Sequence, residues 1–116
     1  MLLYRIEPRS SWTEALSNGI FHGELETDGF IHLSTQNQVL KVADALYAGQ
    51  TDLLLLELDT LETTSRLEFE DLYEVGELFP HLYGPLPTGA VTRTLDLHWN
   101  GERFVLPLEL SLKSEV

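Results

Sequence analysis

A chain of 116 residues, 43% hydrophobic and 22% charged, has the length and make-up of one globular domain that buries its own core. Its 19 acids against 7 Lys plus Arg give a net charge of −12, a field that repels polyanions and excludes broad nucleic-acid binding through phosphates, though not one local cationic site. The absence of cysteine excludes disulfides, thiolate nucleophiles and thiolate zinc sites.

The opening MLLYRIEPRS has no long apolar run and no signal-peptide layout, and the run Leu53–Leu56 is far too short to span a bilayer. A soluble cytoplasmic protein is the expectation. Leu2 to Glu7 reads as a first strand, closed by Pro8, which lacks the amide a ladder needs. Ser11-Trp12-Thr13-Glu14 fits a capping box, and Trp12, Ala15 and Leu16 give the stripe of a short helix stopped at Asn18-Gly19. Ile20 to Thr27 is a connector of undefined form. Phe30 to Ser34 alternates as a strand after the Asp28-Gly29 turn.

Thr35 with Gln38 is a second capping signal, and Val39, Val42, Ala43 and Leu46 keep helical spacing, predicting a helix from about Gln36 to Ala48 that Gly49 ends. Asp52 to Leu58 is a near-continuous apolar run, the pattern of a strand covered on both faces. Arg66 to Glu70 is a weaker strand. Asp71 to Gly89 is rich in Gly and Pro; a loop of that length is functional or conceals a short element. Ala90 to Trp99 alternates as a strand. Asn100-Gly101 predicts a two-residue type I′ hairpin that pairs Trp99 with Glu102, Leu97 with Phe104 and Leu95 with Leu106. The tail beyond Leu110 is expected to fray. The order strand, helix, strand, helix, then strands predicts an α+β fold with a mostly antiparallel sheet and two short N-terminal helices.

Chemistry concentrates in two stretches. In DGFIHLST, residues two apart on a strand share a face, so His32 and Ser34 project together while Ile31 and Leu33 point the other way. Either the pair lines a cleft and holds a polar ligand, or His32 is a buried imidazole satisfied by backbone and Ser34 begins the helix cap. In FPHLYGPLP, His81 and Tyr83 sit in a segment stiffened by Pro80, Pro85 and Pro87. That segment is either a site wall that needs no strand or a structural corner whose Tyr hydroxyl caps a backbone group.

Tyr4 and Arg5 point to opposite faces of the first strand. One of them reaches a cleft, or Arg5 is a solvated side chain on an edge strand. Glu68, between Arg66 and Glu70, is part of a solvated charged face or an acid beside the His cluster. His22 and His98 read as surface or turn residues. No HExxH or closely spaced His pair supports a metal, no GxGxxG or Walker lysine supports a phosphate cradle, and Ser34 with His32 lacks the context of a nucleophile elbow.

DGFIHLST, Gln38 with the helix after it, AGQTDLLLLELD and FPHLYGPLP with Ala90-Val91 together resemble the domain of unknown function 952 family of small bacterial and plant proteins. The resemblance runs from Tyr4 to Val91. It implies a fold similar to ADP-ribosyltransferases, with the HLS segment similar to a strand of RNA 2′-phosphotransferases, which also use NAD. Carried over by position, Arg5 or Tyr4 with His32 and Ser34 would grip NAD. His32 would bond a ribose hydroxyl or the nicotinamide amide, and Ser34 would support the nicotinamide ribose.

The chain departs from those enzymes in three ways. No residue matches their late-strand Glu, for which Glu68 is a candidate only by its neighbourhood in the chain. Phosphotransferases use several basic residues for a phosphorylated RNA and this acidic chain has few, and PHLYGP is a motif of neither relative. A glutathione transferase-like label does not fit, since 116 residues cannot hold a thioredoxin-like domain plus a helical one.

The combined expectation is one domain over residues 1–112 with a frayed tail at 113–116. It carries a small-ligand pocket lined by Tyr4, Arg5, His32, Ser34, His81 and Tyr83, with His32, Ser34 and Glu68 in catalytic roles and no metal. It is either an NAD-using, ADP-ribosyl-transfer-like enzyme or a non-catalytic nucleotide or small-molecule binding module. A protein-interaction domain using the acidic surface ranks below both.

Overall fold

The leucine run at 53–58 forms the middle of the molecule in the computed structural model, which describes residues 1–113. In chain order the elements are β1 (Leu2–Pro8), α1 (Arg9–Asn18), β2 (Ile20–Phe21), α2 (Leu25–Asp28), β3 (Ile31–His32), a 3-10 turn (Gln36–Gln38) running into α3 (Val39–Leu46), β4 (Leu53–Asp59), β5 (Arg66–Glu70), β6 (Phe79–Tyr83), β7 (Leu86–Pro87), β8 (Val91–Trp99), β9 (Phe104–Val105) and α4 (Leu108–Lys113). The class is α+β, and every strand pairing is antiparallel. No helix among the described residues is long and apolar enough to cross a membrane. Residues 114–116 of the expected frayed tail lie outside the described residues; Lys113 is the last residue of α4.

Three sheets carry the fold, with strand orders β1-β4-β8-β9, β3-β6-β5 and β2-β7. The first two meet where Tyr4 and Ser34 exchange backbone hydrogen bonds, 2.8 Å each way. The outer edge of β1 is thereby closed off, and the ladder curls from β4 through β1 onto β3. Because side chains alternate along β4, it feeds two cores. Leu54, Leu56 and Leu58 pack with Leu3, Trp12, Ile31, Leu33 and Leu82. Leu53 and Leu55 pack with Ile6, Val39, Ala43, Leu95 and Phe104. Each such leucine contributes about 1.5–3 kcal/mol by leaving water, which makes β4 the apolar spine.

Several expectations are corrected. The Ser11/Glu14 capping box does not form: α1 begins three residues earlier with Pro8 at its N-cap, and the Ser11 hydroxyl is drawn 2.6 Å from the Glu7 carboxylate. Pro8 closes β1 as its last residue, still opposite Leu53 in the ladder. The connector at 20–27 holds β2 and the start of α2. Of the strand expected at 30–34, the ladder keeps Ile31 and His32, with Ser34 paired singly to Tyr4.

The Thr35/Gln38 capping box is present, the Gln38 side-chain carbonyl accepting from the Thr35 amide at 3.0 Å. The long Gly/Pro-rich segment conceals β6 and β7, so His81 and Tyr83 do stand on a strand. The final hairpin is not type I′ and its register differs by two residues. Trp99 pairs with Phe104 and His98 with Val105. A type I′ turn needs positive φ at both central residues. Gly101 has it, at 101°, but Asn100 does not. Asn100 instead turns its Oδ1 onto the amides of Glu102 (2.9 Å) and Arg103 (3.0 Å), which makes a four-residue loop.

Candidate functional site

The register of β3 against β6 sets His32 directly opposite His81, and β5 sets Glu68 opposite His81 and Glu70 opposite Phe79. Opposed residues share a face. Phe30, His32 and Ser34 therefore project with Phe79, His81 and Tyr83, while Ile31, Leu33 and Leu82 go into the core. The two imidazoles lie 5.5 Å apart between centroids at 79°. Phe30 stacks on His81 at 4.1 Å and 28°, meets His32 edge to face at 4.7 Å and 61°, and lies 5.3 Å from Tyr83. In front of this cluster is a cavity of about 350 Å³ whose lining includes Tyr4, Arg5, Glu24, His32, Ser34, Tyr47, Tyr73, Phe79 and His81.

Each histidine is held by a carboxylate. Glu70 Oε1 lies 3.0 Å from His81 Nδ1 and accepts from the Tyr83 hydroxyl at 2.5 Å. Those two bonds, the Tyr83 one first, hold the Glu70 carboxyl below the usual range, and the same bond raises the Tyr83 phenol. Asp28 Oδ2 lies 2.8 Å from His32 Nε2. An ionised carboxylate only accepts hydrogen bonds, so neutral His81 carries its proton on Nδ1 and neutral His32 on Nε2. The remaining nitrogens, His81 Nε2 and His32 Nδ1, and the Ser34 hydroxyl have no hydrogen-bond partner among the described residues. No fully buried polar side-chain atom there lacks a partner, so these three atoms keep some accessible surface, and their residues line the cavity.

Arg5 is 8% exposed, not solvated. Its Nε and Nη2 donate to Glu7 Oε1 (3.0 and 2.9 Å), Nη1 and Nη2 to Glu24 (2.8 and 2.5 Å), and Nη1 also to the His32 carbonyl (3.1 Å). A guanidinium has five N–H groups, and all five are engaged. Glu24 Oε1 also accepts from the His32 amide at 3.1 Å. Burial pushes the Glu24 carboxyl up, but the bonds and charge of Arg5 outweigh it and leave it below its ordinary value. Arg5 therefore positions the His32 backbone and offers a ligand no free donor. Tyr4 is similarly committed: its hydroxyl donates to Glu57 at 2.9 Å, Glu57 receives Arg93 at 3.0 and 3.1 Å, and burial followed by Glu57 pushes the phenol up to about 12.

The open side is covered by the segment between β5 and β6. Tyr73 faces His32 with ring centroids 6.3 Å apart. Asp71 bonds the amides of Val75 and Gly76. Gln38 Nε2 donates to the Leu78 carbonyl at 2.7 Å and to Glu77 at 2.9 Å, and Glu77 also pairs with Lys41. Replacing Gln38 by Ala is expected to cost about 1–3 kcal/mol, because a carbonyl and a carboxylate lose a buried donor. Hydrogen exchange should quicken across residues 71–78 more than in β4; equal change in both would show a purely global effect.

The structure thus brings Tyr4, Arg5, His32, Ser34 and His81 to one cavity. Tyr83 shares the His81 face of β6 but lies outside the lining, as does Glu68, 42% exposed on its side chain and 3.9 Å from Arg66. Sequence reasoning missed Glu24, Asp28, Phe30, Glu70 and Tyr73. Phe30 was legible in the alternation of FIHLS; nothing in the local pattern distinguishes the three acids from the other carboxylates. Among the described residues no group of three or more His, Asp or Glu is arranged to hold a metal ion.

A family model described as "Protein of unknown function (DUF952)" matches residues 6–94. The chain is similar to the crystal structure of protein CC0527 from Caulobacter crescentus, with 34% identity over 96% of this chain and 99% of that one and a TM-score of 0.84. The solution NMR structure of CC0527 is 36% identical over 89% and 90%, with a TM-score of 0.72. No curated protein matches the chain.

Proposed function

Since the chain belongs to the DUF952 family of proteins of unknown function, we propose that it binds a small planar ligand in the cavity before His32 and His81. One observation carries the reading. Two imidazoles 5.5 Å apart border the same 350 Å³ space, each with one nitrogen pinned by a carboxylate and the other without a partner among the described residues. Pockets of this size with apolar walls and a few fixed polar atoms suit small molecules. The flat faces of Tyr73 and Phe79 supply stacking surface, and the imidazole nitrogens with the Ser34 hydroxyl supply direction.

The relation to ADP-ribosyltransferases is part of this proposal. It is supported by the Tyr4–Ser34 bridge, which lays the first strand beside the HLS segment, the two stretches that the resemblance assigns to NAD. The two imidazole acceptors and the Ser34 hydroxyl suit the nicotinamide end of NAD. It does not suit the diphosphate, because Arg5, the only Lys or Arg of the described lining, has every N–H engaged. Glu68 stands away from the cavity, so no acid assigned to the sugar cation faces it. Binding is therefore favoured over ADP-ribosyl transfer.

Titration followed by NMR or calorimetry with nicotinamide, NAD and ADP-ribose tests the reading. Nicotinamide is expected to shift the His32, Ser34 and His81 signals, and ADP-ribose to leave them in place. His32→Ala and His81→Ala should each weaken nicotinamide binding by about tenfold or more, a change of about 1.4 kcal/mol, with the circular dichroism unchanged. If nicotinamide moves none of these signals, or if both variants merely unfold, the ligand reading falls. Turnover of labelled NAD would reverse the preference for binding over transfer.

A further inference from the structure

We infer that the cavity selects a positively charged, N–H-donating planar molecule and rejects anions; the inference rests on the ligand-site reading above and assigns its chemical class. The first reason is the polarity of the fixed hydrogen-bonding atoms. Asp28 holds the proton of neutral His32 on Nε2, and Glu70 holds that of neutral His81 on Nδ1. What each ring presents instead is a lone pair, on His32 Nδ1 and His81 Nε2. His81 is 2% exposed, so its lone pair is a directed acceptor in a largely dry wall. An amidinium, a guanidinium or an aminopyridinium has N–H groups for both rings. A carboxylate or phosphate would meet lone pair against lone pair.

The second reason is charge. Glu24 is in the lining, and Asp28 and Glu70 stand directly behind the two imidazoles. Arg5 faces both Glu7 and Glu24, so one cation is shared by two acids and the group is negative by one charge. The neighbouring cations are also paired: Lys41 with Glu77 and Arg93 with Glu57, while Arg66 lies 4.2 Å over the Tyr83 ring, outside the lining. Tyr47, Tyr73 and Phe79 line the same space, and aromatic faces attract cations through their quadrupoles. These contributions share one sign. In a partly enclosed cavity they are less screened than on an open surface.

Three near-isosteric probes isolate the effect: benzamidine, benzamide and benzoate, each one ring with a planar substituent and charged +1, 0 and −1. They are titrated into the intact protein by NMR at about pH 8 and at physiological salt, which damps the diffuse attraction of the acidic surface. Benzamidine is expected to move the His32, Ser34 and His81 signals and to bind about tenfold or more tighter than benzamide, with no detectable benzoate binding. Tyr73→Ala removes an exposed ring without threatening the core, and it should weaken benzamidine more than benzamide. Equal affinity for benzamidine and benzamide, or benzoate binding as well as either, overturns the inference while leaving the ligand site standing. If nicotinamide and all three probes leave the cavity signals unmoved, the site itself and the inference fall together.

Discussion

Replacing Arg5 by Met or Ala is expected to destabilise the protein by about 3–5 kcal/mol, the range for breaking a buried ion pair from one side. At this chain length that corresponds to a fall in Tm of about 12–20 °C. The cause is not the loss of attraction alone. Glu7 and Glu24 were desolvated on the premise of a cation between them, with Arg5 2.9 Å from Glu7 and 2.5 Å from Glu24. Without it, two partly buried carboxylates face each other. The His32 carbonyl loses its side-chain donor as well. Arg5→Lys should recover only part of the loss, because three ammonium donors cannot reproduce a five-donor fork.

The effect has a defined pH dependence. In the folded protein Glu24 is held below its ordinary value, by Arg5 against the upward push of burial. A depressed carboxylate contributes stability that is fully present above its unfolded value, about 4.3, and is lost as pH falls through the folded value. The variant lacks that contribution, and protonation relieves its acid–acid repulsion. The gap between wild type and Arg5→Met should therefore be widest near neutrality and narrow below about pH 4. Urea unfolding at a series of pH values measures it. A gap under about 1 kcal/mol, or one that widens in acid, would show that the network is peripheral to stability.

Phe30→Ala should be comparably severe, at about 3–5 kcal/mol, and should also empty the site of its order. Phe30 is 5% exposed and touches three other rings, with His81 stacked on it at 4.1 Å. Removing it leaves a void behind both imidazoles and frees them to turn away from Asp28 and Glu70. Phe30→Leu keeps most of the volume and forfeits the ring geometry, worth about 0.5–1.5 kcal/mol beyond burial. Unfolding measurements are then read beside nicotinamide affinity: Phe30→Ala should lose both, whereas Phe30→Leu should keep most of its stability and lose affinity. An alanine variant less than about 1.5 kcal/mol down, with nicotinamide still bound, would show that the imidazoles are held by their carboxylates alone.

Some of the fold is a local property of the chain and was readable as such. The leucines at 53–58 required a strand apolar on both faces, and β4 is buried on both. Thr35 with Gln38 capped the helical entry that leads to α3. Alternation in FIHLS forced His32 and Ser34 onto one face, away from Ile31 and Leu33, because a strand has a period of two wherever it is placed. Those inferences rest on repeat lengths and on local sterics.

Tertiary structure decided the rest. Periodicity says which residues share a face but not what the face meets. Only the register of β3 on β6 set His32 against His81, 49 positions apart in the chain by their numbers. Only the curl of the ladder through Tyr4 and Ser34 buried Arg5 instead of leaving it on a solvated edge. Glu70 rather than Glu68 reached His81, a diagonal contact that strand pairing alone does not disclose. The closing hairpin shifted by two residues because the Asn100 side chain bound backbone amides in place of adopting the turn its sequence favoured. For the acids of the site the physical reason is the same. A carboxylate among 19 acids acquires a role from a partner contributed by another strand, and that partner is brought to it by the packing of the whole chain.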